Sequence, residues 1–473
     1  MIRLMPECAE PTLLAQKECE ITIHGKKIEY TATVEETFYA DDAGEKAASV
    51  GSFSYIAKNM GPNRPIIFVY NGGPGASSVW MHMGLFGPRR IHIDDPVDPS
   101  PVPPYYLEDN PHCLLDICDL VMIDPPHTGF ARLYKPEDYS LVYGADQDAF
   151  LLSLFIEHWL TVNHRMNSPR FLAGESYGSL RNCQLMRQLM GGCMPQDHRV
   201  TAIPVNGLMF FGTCIELGQE KGIPYSEMVT MFDTYAATCW YFRKDRQKQS
   251  VWEYIEEAED FLAKEFLPCD FLGEKCPPEV REEVMKKVMY YTGVSEYYLR
   301  NHNMQINNED FMEEAIRDMG LDVGLYDSRY TMPHSTCKAF HDVISDDPAM
   351  GKYTPSFIAA MALLRDELGI ETDREYRAID VGKAFPITGE VSNTESLVDG
   401  MRRNRKMQLF FATGIYDLCT PMGKTRYNLH HLGLDSSRVM EKEYESGHMP
   451  YLGEDSCIAL EKDMREYLAK ALA

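Results

Sequence analysis

Three residues of the sequence have the types and the chain order needed for nucleophilic catalysis: a serine, an aspartate and a histidine. Ser176 lies in Gly174-Glu175-Ser176-Tyr177-Gly178, where two glycines flank a serine at the spacing of a tight turn. A buried-strand pattern precedes this motif and a helix pattern follows it. Such a turn would present the hydroxyl at the carboxyl edge of a sheet, near the positive end of a helix. The alternative is a serine that only caps the helix.

The candidate acid and base follow late in the chain. Asp417 comes soon after the apolar run 407–412, and His448 follows a strand pattern at residues 438–444. Serine, then acid, then histidine is the chain order of α/β-hydrolases. His448 would accept the proton of Ser176 and later give it to the leaving amine, while Asp417 would hold the imidazole tautomer and stabilise the imidazolium. The alternative for any single histidine is a surface or packing residue.

An early glycine-rich segment could bind an oxyanion. It reads Asn71-Gly72-Gly73-Pro74-Gly75-Ala76-Ser77-Ser78 and follows the strand pattern at residues 65–70. In α/β-hydrolases one oxyanion donor comes from such a loop and one from the residue after the nucleophile. The backbone amides of Gly73 and Tyr177 are therefore the predicted donors. A phosphate-binding loop is the alternative, but neither G-x-G-x-x-G nor a G-K-[ST] ending is present.

The elements that must position these residues follow an α/β pattern. Short, near-continuous apolar runs are typical of strands covered on both faces, and helix patterns at residues 149–162 and 177–190 separate some of them. This alternation predicts an α/β fold with a mostly parallel central sheet flanked by helices. Before residue 60, segments 27–34 and 52–57 alternate as half-buried antiparallel strands do. The apolar runs are 65–70, 119–124, 170–173, 206–211 and 407–412.

The middle of the chain has a different pattern. From about residue 216 to residue 385, amphipathic and charge-rich helix patterns dominate, such as 251–266 and 278–291, and strand candidates are scarce. We therefore predict an α/β-hydrolase core formed by residues 1–215 and 386–473. A mainly helical insertion, residues 216–385, would interrupt this core and act as a lid over the Ser176 turn.

Composition and charge narrow the classes of partner and compartment. A length of 473 residues allows a large core, and a net charge of −25 argues against nucleic acid and anionic membranes as partners. No apolar run is long enough for a transmembrane helix, and the first residues do not resemble a signal peptide. The thirteen cysteines are odd in number, irregularly spaced and without a metal-ligand cluster, which suits a reducing compartment. We expect a cytoplasmic enzyme without metal or cofactor, or a secreted one if the sequence is trimmed.

Taken together, these segments resemble the serine carboxypeptidase family, and the similarity runs through essentially the whole chain. The resemblance implies hydrolysis of the last peptide bond of a peptide through an acyl-enzyme on Ser176. Two stretches of the predicted insertion, 234–241 and 325–329, are similar to the bacterial-type branch of the family. The segments that match the family signatures are 71–78, Asn110-Pro111, 124–130, 174–178, Asp417 and Gly447-His448-Met449.

The resemblance also implies how the substrate is bound. Asn71, the Gly72 amide and Glu175 would bind the free C-terminal carboxylate of a peptide, and Met449 would line the pocket for the leaving residue. A second family glutamate falls near Leu85 here, so carboxylate recognition could be built differently. Glu175 can bond a carboxylate only if the two share a proton, because two adjacent negative charges are costly. We therefore expect the tightest binding at mildly acidic pH, the alternative being that Glu175 only complements the helix dipole.

Two other functions stay open at this point. An esterase or acyltransferase would use the same triad, since another acceptor can intercept an acyl-enzyme. A catalytically silent binding protein on the same fold is the third reading, because a fold does not dictate a function. Activity on amidated peptides separates the carboxypeptidase from the esterase or acyltransferase. Covalent labelling of Ser176 by a fluorophosphonate excludes the binding protein.

Overall fold

The computed structural model describes residues 5–135, 140, 142–191, 202–213, 215, 227–335, 347–380, 385–387, 389 and 391–473. Its thirteen strands are β1 (Met5–Ile23), β2 (Lys26–Ala40), β3 (Lys46–Ala57), β4 (Ile66–Tyr70), β5 (Arg89–Ile91), β6 (Leu107–Asp109), β7 (Asp119–Asp124), β8 (Arg170–Glu175), β9 (Gly207–Phe211), β10 (Leu321–Val323), β11 (Thr331–Pro333), β12 (Gln408–Gly414) and β13 (Val439–Tyr444).

The helices of the described residues lie between and after these strands. They are α1 (Val79–Met81), α2 (Ala145–Val162), α3 (Tyr177–Leu189), α4 (Glu227–Phe242), α5 (Val251–Phe261), α6 (Leu267–Leu272), α7 (Pro278–Thr292), α8 (Glu296–Asn301), α9 (Asn308–Glu314), α10 (Pro348–Leu368), α11 (Asn393–Arg403), α12 (Met422–His431) and α13 (Glu454–Leu472). Two π-helical turns, His82–Phe86 and Leu262–Phe266, extend α1 and α5. Three short 3₁₀ turns are Gly273–Lys275, Arg317–Met319 and Ser436–Arg438.

Nine of the strands form one sheet in the order β1-β2-β3-β7-β4-β8-β9-β12-β13. The six strands from β7 to β13 in this order are parallel, whereas β1, β2, β3 and β7 pair antiparallel. The predicted mostly parallel sheet is confirmed. Since parallel strands end at the same edge, the loops after β4, β8 and β12 are brought close together.

The five apolar runs of the sequence correspond to β4, β7, β8, β9 and β12, and successive side chains of these strands enter opposite cores. Ile67 and Val69 pack on one face of β4, and Ile66 and Phe68 pack on the other. Both faces are covered, so neither shows a polar alternation. Strand β1 is an edge strand that pairs with β2 only, and its sequence carries few regularly spaced apolar residues, so no strand was predicted there.

The described helices between residues 227 and 335 have a core of their own, in which Phe232, Phe261 and Phe266 are buried. Helix α10 belongs to a different cluster, because its Phe357 packs in the core that covers one face of the sheet. The predicted boundaries of the insertion stay a prediction, and residue 216 itself lies outside the described residues.

Two observations concern compartment and membrane. None of the nine cysteines whose side chains are described forms a disulfide. Among the described residues, no helix is both long and apolar enough to cross a bilayer. The cytoplasmic location stays a prediction.

Candidate active site

The turn between β8 and α3 holds Ser176 in a conformation that a serine rarely adopts. Its φ is 58° and its ψ is −129°, which costs free energy for a residue with a Cβ. Two backbone bonds hold this turn: the Ser176 amide donates to Phe211 O at 3.0 Å, and the Ser179 amide donates to Ser176 O at 2.9 Å. A Cβ at Gly174 would lie 2.1 Å from Gly178 O, so the flanking glycines allow the turn to close.

The glycine-rich loop after β4 lies directly against this turn. A Cβ at Gly72 would be 2.4 Å from Tyr177 N and 2.5 Å from Gly178 N. These amides belong to the first turn of α3, where no carbonyl of the helix can accept from them. Gly73 lines the same cavity as Ser176. The amides of Gly73 and Tyr177 are thus on the two loops that flank the serine, as an oxyanion site requires, and their role stays a prediction.

His448 and Asp417 meet at the same edge of the sheet. His448 Nδ1 lies 2.8 Å from Asp417 Oδ2, and both side chains are buried. His448 Nε2 is buried and has no hydrogen-bond partner among the described residues, so it is the ring nitrogen available for a proton. Burial opposes the charge of the ring, but Asp417, with smaller contributions from Glu175 and Asp347, raises the pKa of His448 above 6.5.

One cavity brings the predicted residues together. Its empty volume, which includes its opening to solvent, is about 530 Å³. Ser176 and His448 both line it, but His448 Nε2 has no hydrogen-bond partner among the described residues, so the bond between Ser176 and His448 that a triad requires stays a prediction. Its lining residues are Asn71, Gly72, Gly73, Ala76, Trp80, Glu175, Ser176, Tyr326, Met350, Tyr353, Ile379, His448 and Met449.

Glu175 is the buried carboxyl of this cavity. Asn71 Nδ2 donates to its Oε1 at 2.5 Å, and the Tyr451 hydroxyl donates to its Oε2 at 2.6 Å. Burial raises the pKa of Glu175 from 4.5 to about 7, against the opposing effects of His448, Tyr451 and Asn71. The carboxyl can therefore carry a proton near neutral pH.

The serine carboxypeptidase family model matches residues 52–457, which is most of the chain. The chain belongs to the serine carboxypeptidase family. It is therefore a serine hydrolase of the carboxypeptidase type, and the α/β-hydrolase fold expected from the sequence is confirmed. No curated protein sequence matches the chain.

Two solved structures are similar to this carboxypeptidase to different degrees. Kex1(Δp), a prohormone-processing carboxypeptidase of Saccharomyces cerevisiae, matches with a TM-score of 0.54 at 13% identity, over 93% of this chain and 91% of that one. A thermostable carboxyl esterase of Bacillus coagulans matches with a TM-score of 0.38 at 11% identity, over 97% and 99% of the two chains. At these identities the likeness to Kex1(Δp) shows the fold alone.

Two residues of the carboxypeptidase site were not identified from the sequence. Thr420 donates to Asp417 Oδ2 at 2.5 Å, and its hydroxyl lies 3.1 Å from His448 Nδ1. An aspartate followed three residues later by a threonine is a pattern of side-chain-bonded turns, and this signal could have indicated Thr420. Tyr451 had no such signal, because its contact with Glu175 spans 276 residues of sequence. Leu85, where a second family glutamate was expected, is buried in the core.

Three further predicted residues line the same cavity, and their roles in substrate binding stay predictions. Asn71, Gly72 and Met449 all line the cavity with Ser176. Among the residues that the structure describes, no cluster of histidine, cysteine, aspartate and glutamate side chains has the arrangement of a metal site.

Proposed function

We propose that this carboxypeptidase removes single residues from free peptide C-termini, with Ser176, His448 and Asp417 as its triad. The observation that carries the proposal is the position of Glu175. This buried carboxyl directly precedes Ser176, lines the same cavity and has a pKa raised to about 7. A carboxyl that can hold a proton beside the nucleophile could bond the free carboxylate of a peptide C-terminus, a contact that an amide or ester end cannot make in the same way.

The covalent steps use the groups of the sheet edge. His448 Nε2 takes the proton of Ser176 as its Oγ attacks the last peptide carbonyl, and the amides of Gly73 and Tyr177 stabilise the oxyanion. Asp417 stabilises the imidazolium. Collapse of the tetrahedral intermediate breaks the C–N bond, and His448 gives its proton to the departing amine. Water then attacks the acyl-enzyme with His448 as base, which releases the shortened peptide and returns the proton to Ser176.

The free C-terminus is recognised through a shared proton. In the protonated state, Glu175 donates to the substrate carboxylate, which avoids two adjacent negative charges. Asn71 holds Glu175 through one amide hydrogen, and its other hydrogen and the Gly72 amide are further donors for the same carboxylate. Because Glu175 must be protonated, the KM for free-acid peptides rises as the pH increases through about 7.

The cavity favours an apolar terminal residue. Its lining includes Trp80, Tyr326, Met350, Tyr353 and Met449, and within the part of the chain that the structure describes it includes no lysine or arginine. A charged terminal side chain would lose its hydration there without gaining a partner. Peptides that end in leucine, methionine or phenylalanine are therefore the expected substrates.

A matched pair of peptides tests the proposal: one N-blocked peptide ending in phenylalanine as the free acid, and the same peptide as its amide. At about pH 5.5 we expect kcat/KM for the acid to exceed that for the amide by about 100-fold, since only the acid can share the Glu175 proton. This ratio should fall at about pH 8, where Glu175 is ionised. Ser176→Ala should abolish both activities. Equal turnover of acid and amide would instead assign the triad to an esterase or acyltransferase.

A further inference from the structure

Tyr451 is a buried residue that contacts Glu175 of the cavity lining and that the catalytic steps do not use. It lies three residues after His448, and its hydroxyl donates to Glu175 Oε2 at 2.6 Å. Burial and the nearby Glu175 charge raise the pKa of Tyr451 well above 10. The hydroxyl therefore stays protonated and remains a donor over the whole working pH range.

The position of this ring depends on a glycine in the π-helical turn His82–Phe86. A Cβ at Gly84 would lie 2.6 Å from Tyr451 Cε2 and 3.1 Å from its Cδ2, closer than side-chain atoms normally approach. The same Cβ would be 3.3 Å from Phe357 Cε1 on α10, so a side chain at position 84 would meet α10 as well as the Tyr451 ring. Any larger residue at position 84 would displace the ring and its hydroxyl.

The other oxygen of Glu175 is held by an equally rigid partner. Asn71, which donates to Oε1, accepts through its Oδ1 from the Met81 amide at 3.0 Å. The Asn71 carbonyl also accepts from Arg181 Nη1 at 2.6 Å. With both oxygens bound to fixed donors, the carboxyl plane of Glu175 cannot rotate freely, and its remaining hydrogen-bonding capacity is directed into the cavity.

We propose that Tyr451 is a positioning residue for Glu175, whose hydroxyl fixes the orientation of the acid and sets the pH range in which it binds a peptide carboxylate. This inference rests on the proposed role of Glu175 in carboxylate recognition. Tyr451 itself does not touch the scissile bond. Its effect is exerted on KM and on the titration of Glu175.

The groups around Glu175 determine the direction of the pH effect. Donation by Tyr451 and Asn71 and the charge of His448 favour the ionised carboxylate, whereas burial and the charge of Asp417 favour the protonated form. From α10, Tyr353 also faces this acid, but its hydroxyl lies 2.9 Å from Met350 Sδ. Loss of the Tyr451 hydroxyl removes one stabiliser of the ionised form, so the pKa of Glu175 rises.

The test compares wild type, Tyr451→Phe and Tyr444→Phe with the peptide acid and amide between about pH 4.5 and 8.5. At about pH 5 we expect Tyr451→Phe to raise the KM of the acid by about three- to tenfold and to change kcat less than threefold. The alkaline limb of kcat/KM should move upward by about 0.5 to 1 pH unit. The amide should be unaffected, because it shares no proton with Glu175.

Tyr444→Phe is the matched control, since its hydroxyl also donates to a carboxylate, Asp463 Oδ2 at 2.9 Å, away from the cavity lining. Tyr444→Phe should leave the alkaline limb of kcat/KM at the same pH as in the wild type.

Gly84→Ala should cause the same changes as Tyr451→Phe, because the Cβ of the new alanine displaces the Tyr451 ring. The role of Tyr451 would be overturned if Tyr451→Phe left the alkaline limb of kcat/KM unshifted, or if it changed the kinetics of the acid and the amide peptide equally. A wild type that does not discriminate acid from amide would overturn the role of Glu175 as well.

Discussion

Two buried carboxyl groups flank the reacting region, and they have very different surroundings. Asp417 Oδ1 accepts from the amides of Cys419 and Thr420, each at 2.9 Å, and its Oδ2 accepts from the Thr420 hydroxyl and contacts His448. Among the described residues, Glu175 accepts from two neutral donors. Burial raises the pKa of Glu175 to about 7, and these two donors oppose that effect only in part.

The two buried carboxyls therefore differ in the number of groups that bind them, four at Asp417 and two at Glu175. Asp417 is arranged to orient an imidazole. Glu175 is arranged as an acid that can hold a proton and share it with a substrate. Each of the variants below alters one of these two carboxyl groups or one of its hydrogen-bond donors.

The largest effect is expected from Asp417→Asn. An amide in place of the carboxylate would present the wrong hydrogen-bonding pattern to His448 Nδ1 and could not stabilise the imidazolium, so kcat should fall by about 10⁴-fold. Steady-state kinetics on a free-acid peptide measure the loss. A fall of less than tenfold would show that the two carboxyls are not specialised as described.

A smaller effect is expected on stability. Because the pKa of Glu175 is raised from 4.5 to about 7 in the folded state, the group favours folding fully below about pH 4.5. This contribution is lost as the pH rises to about 7, and integration over the shift gives about 3 kcal/mol. The free energy of unfolding of Glu175→Gln, measured by denaturant titration, should lack this component. If the free energy of unfolding depended on pH in the same way in the wild type and in Glu175→Gln, the raised pKa of Glu175 would be contradicted.

The same substitution should change substrate binding. With a glutamine, no shared proton is available, and the KM for the free acid at about pH 5.5 should rise by about 10- to 100-fold with kcat nearly unchanged. The pH dependence of KM should disappear. The amide peptide is the control. An equal rise in the KM of the amide would assign Glu175 a purely structural role.

The smallest effect is expected from Thr420→Val, which keeps the shape of the side chain and removes its hydroxyl. Asp417 would lose one of its four donors, and we expect kcat to fall by about three- to tenfold. The KM of the free acid should stay constant, since Glu175 is untouched. A change in the KM of the free acid without a change in kcat would contradict a role of Thr420 at Asp417.

Much of this arrangement could be predicted from the sequence because it depends on local patterns. The strands before Ser176 and Asp417 are continuous apolar runs, and the parallel sheet brings their ends together whatever the chain distance. Flanking glycines around Ser176 marked the turn. The chain order of acid and base then pointed to Asp417 and His448.

The surroundings of Glu175 could not be predicted in the same way. Tyr451 reaches this acid only because Gly84, more than 350 residues earlier in the chain, leaves room for its ring. No local pattern encodes such a packing contact. The same holds for Trp80, Tyr326 and Tyr353, which meet in the cavity from separate segments.

Covalent labelling with a fluorophosphonate probe tests the central claim most directly, because it reports on the nucleophile without requiring a peptide carboxylate. We expect intact-mass and peptide analysis to show one adduct, on Ser176, with wild type and Glu175→Gln reacting at rates within about threefold of each other. Asp417→Asn should react about 10³-fold more slowly or worse. An adduct on another residue, or equal loss of labelling in the two carboxyl variants, would contradict the account.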